Sequence, residues 1–468
     1  MRARISAAIA ALALSLLAPL SPPANAAPMA GVGIVTSNLL MYYDYRNYNS
    51  YPGSGTTVYD ASGNGLTGTL YNSPAFTHST SPGSVTNGYF SFVAGSSQYQ
   101  SAPTFNTEFS QGFSISFMAD FGASANNWER VIDFGNGNQS GNILMGRSGT
   151  SNDLFLETYA YTGANNAASN GFCKVVGAIP VNSGVNAWTM IIAANGASCA
   201  VYKNGISQTV TFSGTDISPV DNINRTTNYI GKSNWSGDSY FEGKIYSVAI
   251  YNRALSASEA TQNSNSQSDI TSPNINPSLL TSPENTTSIT TLSTGETSYF
   301  TLLSAGDSSA LSLTSTGVLT FNSSPNYEAP IDSNADNQYG FNVRVMDSNG
   351  NWAEMYVQVT VTNLVELASL TVPTLSATPY KGVALTITVT PSGDGTSIPG
   401  KISFLIAGKR IPACYKKTYT GTGNSTCTFD PALRGTQEIS VTFTPTNTNF
   451  TSATSKKSFF IYKRTTTR

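Results

Sequence analysis

The chain has 468 residues, 11% of them charged, and a formal net charge of −2. Charge is under half the ~25% usual in globular domains, but 40% apolar residues with 24 Tyr and 22 Phe can fill a core, so wholesale disorder is excluded. There is no basic excess to neutralise phosphates, which excludes nucleic acid as an expected partner, and the single histidine, His78, excludes a zinc site with several His ligands.

Residues 1–26 read as a secretory signal peptide. Arg2 and Arg4 form a positive start, 5–20 is apolar and Ala-rich, Ser21-Pro22-Pro23 breaks the helix, and Ala24-Asn25-Ala26 fits the small-x-small cleavage rule. No later stretch is apolar and long enough to span a bilayer. The expected location is therefore secreted or cell surface, without a transmembrane segment after cleavage, in a compartment that permits disulfides.

Beyond the leader, short runs rich in Val, Ile, Thr, Tyr and Phe alternate with Gly, Asn, Ser and Pro clusters, the pattern of antiparallel strands joined by turns. Phe113-Ser-Ile-Ser-Phe117 alternates with its apolar residues on one face. Asp60-Ala-Ser-Gly-Asn-Gly65 predicts a turn braced by the Asp60 side chain, and Asn204-Gly205 predicts a two-residue hairpin. Strands are expected at 188–192 and 244–251, the second bent or bulged. One helical turn is expected at 256–260, with Ser256 and Glu259 as a capping box. Cys173 and Cys199 sit near strand ends and either pair, closing a loop worth ~3 kcal/mol, or stay as two buried thiols. Polar stretches at 263–277 and 364–369 read as joints, so the expected domains are 27–265, 270–363 and 366–464.

The first domain resembles the laminin-G-like, concanavalin A-like lectin/glucanase superfamily. The matching stretches include Leu39-Leu-Met-Tyr-Tyr-Asp44, Asp60 to Gly65, Tyr89-Phe-Ser-Phe92, Trp128-Glu-Arg-Val-Ile-Asp-Phe-Gly135, Val201-Tyr-Lys-Asn-Gly205, Tyr229-Ile-Gly231 and, most specifically, Phe241 to Ser256. The second resembles a cadherin-like repeat through Ser282-Pro-Glu-Asn285, Thr316-Gly-Val-Leu-Thr-Phe321, Pro325-Asn-Tyr-Glu-Ala-Pro330 and Val343 to Gly350. The third resembles a bacterial immunoglobulin-like domain through Gly400-Lys-Ile-Ser-Phe404, Gly408 to Cys414, Cys427 to Leu433 and the run ending Thr442-Phe-Thr-Pro445, with Cys414 and Cys427 stapling neighbouring strands. The implied fold class is all-β: a concanavalin A-like jelly roll followed by two smaller immunoglobulin/cadherin-like β-sandwiches.

The resemblances imply a lectin-like head on two spacers, with adhesion or carbohydrate binding as the work. The partner is a glycan or a cell-surface or matrix protein. Loop aromatics and amides suit a sugar: Asn234-Trp235-Ser-Gly-Asp238 with Tyr240 stands first, and Tyr159, Tyr161, Asn165 and Asn166 lie in similar stretches. The cadherin-like match places calcium on Glu284, Glu328 and Asp347, with Asp332 and Asp336 completing the set from a loop; Asp44 and Asp60 are further candidates on the rim of the head. In this chain the family's Asp-x-Asn-Asp-Asn joint reads Thr362-Asn-Leu-Val-Glu366, which leaves a calcium-free spacer as the other reading. The glucanase pattern Glu-x-Asp-x-x-Glu is absent, and Glu129 and Asp133 would lie ~13 Å apart on a strand, so no enzyme activity is expected. A glycan hydrolase and a structural matrix component remain the alternatives.

Overall fold

The computed structural model describes residues 33–464, apart from 85–87, 110, 162, 164–166, 195, 215–216, 218–221 and 395–397. The leader, Asn165 and Asn166 lie outside the described residues. Strands dominate, and no helix among the described residues is long and apolar enough to cross a membrane. The chain forms two compact units, one of them residues up to Leu280 with Ile289–Thr320 and Gly340–Gln358, the other Thr281–Ser288, Phe321–Tyr339 and the chain from Val359.

The first unit is built around a jelly-roll sandwich of an eight-stranded and a nine-stranded sheet. Alternation sets its core. Phe113, Ile115 and Phe117 point into the space between the sheets, where they meet Ile132, Met145, Leu156 and Ile230 of the opposing layer. The strand Gly243–Tyr251 bulges between Ile245 and Ser247 against Phe113–Phe121, which keeps Ile245, Val248 and Ile250 all in the core. Cys173 of the nine-stranded sheet bonds Cys199 of the eight-stranded sheet, so this disulfide ties the two layers together. The Asn204-Gly205 hairpin forms with both residues at positive φ, 50° and 76°, joining Cys199–Lys203 to Ile206–Ser207. Asp60 braces its turn as expected, accepting the N–H groups of Tyr42, Ser62 and Leu66.

The capping box at Ser256 and Glu259 is present, but its helix runs on from Ala257 to Ser268, through residues read as a polar joint. The expected boundary at 265 therefore falls inside a helix. Asn263 and Gln267 are buried because both find partners. Asn263 accepts the Val35 N–H at 2.9 Å and donates to the Tyr251 hydroxyl at 3.0 Å, while Gln267 donates to Ser247 and accepts from Ser116. Ser114 and Ser116, the polar side of the alternating strand, are buried as well. Arg46 closes the end of this helix. Its guanidinium donates to the carbonyls of Ser266, Gln267 and Asp269 at 3.3, 2.7 and 3.0 Å, satisfying C-terminal carbonyls that have no helical partner, and holds Asp44 through two nitrogens at 2.8 and 2.9 Å.

In the same unit, Ser298–Leu302 pairs antiparallel with 343–347, and Trp352 stacks on His78 with ring centroids 4.1 Å apart. His78 also stacks on Phe76, its Nδ1 accepts the Gly88 N–H, and Arg344, paired with Glu354, lies over Trp352 and Tyr48. Burial pulls the His78 pKa down to about 4. The unfolded chain, titrating near ~6.5, takes up a proton that the folded chain refuses. The stabilising effect of this packing is thus whole above that value and declines as pH falls toward 4. Asp347 opposes this trend: burial, with Asp269 and Glu296 adding, raises its pKa to about 7, so its protonated folded form loses stability as pH rises through 7. Comparing wild type with His78→Phe in thermal melts cancels the Asp347 contribution. The advantage of the wild type is expected to shrink between pH 7 and 4.5; a constant difference would mean the imidazole titrates as in water.

The second unit carries a five-stranded sheet that includes Gly400–Ile406, Gly435–Pro445 and Ala453–Ile461, and a three-stranded sheet of Thr374–Leu375, Leu385–Val389 and Ser425–Phe429. Ile387, Ile402, Phe404, Val441 and Phe443 fill the core between them. The Cys414–Cys427 disulfide joins the turn Pro412–Cys414 to the strand Ser425–Phe429. That turn follows a strand of the five-stranded sheet, so the bridge spans two sheets, where neighbouring strands were expected.

Candidate functional site

The nine-stranded sheet turns one face to the core and one outward. Cross-strand register fixes which residues go where. Ile230, Ile132, Met145, Leu156 and Cys173 lie opposite one another in one row and are all core. The next row, Ser101, Tyr229, Asp133, Leu144 and Glu157, points the other way. Tyr71 and Tyr99 are paired on the same face, their rings stacked at 4.6 Å, and the edge of Tyr99 meets Tyr229 at 5.5 Å.

The loop 231–240 folds over this face and is held down by Asp133. One oxygen of Asp133 accepts the Asn234 backbone N–H at 2.8 Å; the other accepts the side-chain amides of Asn234 and Asn142 at 2.8 and 2.9 Å. Asp133 is 0% exposed, and burial pushes its carboxyl up, opposed by Arg130 and these donors. Asp238 accepts from Ser233 at 2.7 Å and from Arg130 at 3.0 Å, and Ser233 also accepts the Trp235 N–H. The loop is thus pinned through its own side chains, which leaves the Trp235 ring presented at the surface.

Two shallow depressions result, sharing Trp235 and Asp238. One, about 240 Å³, is lined by Tyr229, Lys232, Asn234, Trp235, Asp238 and Tyr240 among others. Its neighbour, about 210 Å³, has Trp128, Arg130, Glu157 and Tyr159 on its walls. The Tyr159 ring lies 5.3 Å from Trp235; burial, with Glu157 adding, pushes its hydroxyl up to about 12, so it stays a hydrogen-bond donor. Trp128 is 36% exposed at φ 53°, a left-handed conformation that costs a bulky residue ~1 kcal/mol. Gly149 and Arg130 hold it there, through the Trp128 N–H and carbonyl respectively. Rigid aromatic faces with fixed polar groups between them are what a sugar ring needs.

All four expected ligand-binding residues, Asn234, Trp235, Asp238 and Tyr240, come together here, in two kinds. Trp235 and Tyr240 present rings, whereas Asn234 and Asp238 spend their side chains on bracing the loop. Sequence reasoning missed Tyr71, Tyr99 and Lys232 as site residues, and had Trp128, Arg130 and Tyr229 only as parts of family motifs. The signal lay in alternation, since Tyr71 and Tyr229 flank the buried Leu70 and Ile230 on their strands.

Of the expected calcium ligands, Glu284, Glu328, Asp332 and Asp336 belong to the second unit and Asp347 to the first; burial, with Glu284 and Glu366 adding, raises the Glu328 carboxyl. Glu284 accepts backbone N–H groups of Tyr327 and Leu364. Asp332 accepts those of Asp336 and Asn337, Asp336 accepts from Gln338 and Asn334, and Glu328 accepts from Asn449. Asp347 accepts from Asn349 and Asn351, and its ligand atom lies within 4.8 Å of those of Asp269 and Glu296. On the head, Asp44 is taken by Arg46 and Asp60 by its turn. Glu129, 0% exposed, pairs with Arg147 at 2.6 Å and accepts the Glu242 N–H.

Residues 94–261 match the family described as the concanavalin A-like lectin/glucanases superfamily, so this stretch is a domain of that superfamily, whose name covers both binding proteins and hydrolases. No curated protein matches the chain. Among solved structures, it is similar to domain 4 of an extracellular arabinanase from Geobacillus stearothermophilus in complex with arabinotriose, at 17% identity and TM-score 0.35 over 48% of this chain and 98% of that one. It is also similar to Trypanosoma rangeli sialidase, at 14% identity and TM-score 0.33 over 51% and 34%. A third likeness is to a carbohydrate-binding module of a Ruminococcus gnavus sialidase bound to α2,6-sialyllactose, at 14% identity and TM-score 0.27 over 33% and 83%.

Proposed function

We propose that the protein is a secreted or cell-surface adhesion protein whose lectin-like head binds a glycan on the outer face of the nine-stranded sheet, across the two depressions that share Trp235, and that cadherin-like and immunoglobulin-like spacers carry the head. The observation that supports this most is the pairing of half-buried aromatic rings with a loop pinned by buried Asp133. A binding surface gains affinity from groups ordered before the ligand arrives.

Binding without hydrolysis is favoured by the state of the acids. A retaining glycosidase needs two accessible carboxylates ~5–5.5 Å apart. Asp133 and Asp238 flank Ser233, at 3.4 and 2.7 Å from its hydroxyl, but Asp133 is sealed beneath the loop and its oxygens are already hydrogen-bonded. The test is a glycan array on the full secreted chain, followed by an assay for reducing-end release from each bound glycan. Selective binding without release is the expected result. Release that disappears in Asp238→Asn would favour the hydrolase. No binding on a broad array, with self-assembly in light scattering, would favour a structural matrix role.

Calcium, if part of this function, has its best footing at Asp269, Glu296 and Asp347, since they alone among the described residues bring three acidic ligand atoms together. Binding through one oxygen each, three carboxylates supply three of the 6–8 oxygens calcium takes, so carbonyls and water would complete the shell. Millimolar calcium is expected to raise the melting temperature of the wild type and to leave that of Asp347→Asn unmoved. Equal melting of the wild type with calcium and with chelator would remove the metal from the reading.

A further inference from the structure

We infer that the groove selects sugars carrying a negative charge, and that Lys232 is the residue that reads it. This rests on the glycan-binding reading above. Lys232 is half-buried at the mouth of the larger depression, its Nζ 4.5 Å from the Tyr99 ring centroid and 4.2 Å from that of Tyr229. These two rings hold the ammonium in place from one side. Among the described residues no carboxylate stands within ion-pair distance of it.

The other charges around the groove are already committed. Arg130 donates to Asp238 and to the Trp128 carbonyl. Asp133 lies under the loop with its oxygens bonded. Glu157 faces the smaller depression, on the far side of Trp235, where it bonds Tyr159. Asp238, which lines the larger depression as well, is paired with Arg130 through one oxygen, so Lys232 is the charged group of that depression without an ion-pair partner among the described residues.

Burial also holds the Lys232 pKa below the ordinary lysine value, because the ammonium has lost part of its hydration. A neutral sugar stacked on Trp235 would strip more water from that ammonium and return a hydrogen bond from a hydroxyl or ring oxygen, but no opposite charge. An anionic group on the sugar returns the hydrogen bond and adds Coulomb attraction in a partly desolvated site. A volume of about 240 Å³, below the range typical of drug-sized ligands, suits a single pyranose ring. An ammonium is a point charge without the bidentate fork that favours a planar carboxylate, so the shared ligand chemistry is a pyranose with one anionic substituent, either carboxylate or sulfate.

The test is calorimetric titration of the full chain with matched pairs: oligogalacturonate against neutral galactan oligomers, sialyllactose against lactose, and sulfated against unsulfated galactose oligosaccharides. The acidic member of at least one pair is expected to bind about tenfold more tightly than its neutral partner, and to weaken on raising NaCl from 50 to 300 mM. Lys232→Gln is expected to bring the acidic member down to the neutral one, and Lys232→Arg to restore most of the preference. Which pair responds tells carboxylate from sulfate. Neutral and acidic sugars binding alike, with Lys232→Gln indistinguishable from wild type, would overturn the charge selection and leave the glycan reading standing. Failure of every sugar to bind to a folded chain would overturn both.

Discussion

Trp235→Ala is expected to weaken glycan binding about thirtyfold or more while the protein stays folded. The effect is large because the ring belongs to both depressions, so its loss opens them into one flat surface. Central aromatic contacts of this kind commonly cost ~2 kcal/mol or more on truncation, which is about thirtyfold in affinity. The fold tolerates the change because the turn is held by other groups. Ser233 accepts the Trp235 N–H, and the Trp235 carbonyl accepts the Asp238 N–H. Calorimetry on the bound glycan together with a urea melt separates the two effects. A loss of affinity matched by a loss of stability would mean that Trp235 is a packing residue.

Asn234→Ala provides the contrast. Its amide is a main tether of the loop and a partner of the buried Asp133, so its removal is expected to reduce stability as well as binding.

Arg46→Met is expected to destabilise the first unit by ~3–5 kcal/mol, the usual result of removing one partner from a buried ion pair. Both Arg46 and Asp44 are almost wholly buried, with side-chain exposures of 0% and 1%. Methionine leaves the Asp44 carboxylate with the Tyr42 hydroxyl at 2.6 Å and the backbone N–H of residue 46 at 3.1 Å, but without its cation. It also frees the carbonyls of Ser266, Gln267 and Asp269 at the helix end. The check is a urea titration followed by tryptophan fluorescence. Much of the loss is expected to return in the double variant Arg46→Met with Asp44→Leu, since removing both charges removes the desolvation penalty. If the single variant melts with the wild type, the pair carries no net stability. The same contacts predict that a head cut at residue 265 is unstable, because the cut deletes the carbonyls that Arg46 holds.

Much of this architecture is written locally. Alternating Phe113, Ile115 and Phe117, the Asp60 turn, the Asn204-Gly205 hairpin and the Ser256–Glu259 cap depend on neighbours within a few residues, and each forms as read. Where reading failed, burial of polar groups was the cause. The stretch 263–268 looks like a joint because Asn, Ser and Gln are polar, yet Asn263 and Gln267 are 0% exposed. Their partners, Tyr251, Ser247, Ser116 and Val35, lie 12, 20, 151 and 228 positions away, and hydropathy carries no information on such partners.

The site divides along the same line. The sequence by itself determined that the chain is all-β, that a lectin/glucanase-type domain lies in its first half, and that the loop bearing Asn234, Trp235, Asp238 and Tyr240 is rich in sugar-compatible groups. The first and last of these rest on residue type and short-range spacing, the second on the resemblance to that superfamily. Only the tertiary structure decided which of these residues present rings and which serve as braces, because Asn234 is matched to Asp133, 101 positions away, and Arg130 to Asp238, 108 positions away. It alone brought Tyr71, Tyr99, Tyr229 and Lys232 onto one surface. Sheet register makes neighbours of residues on separate strands, and register follows from the packing of the whole sandwich.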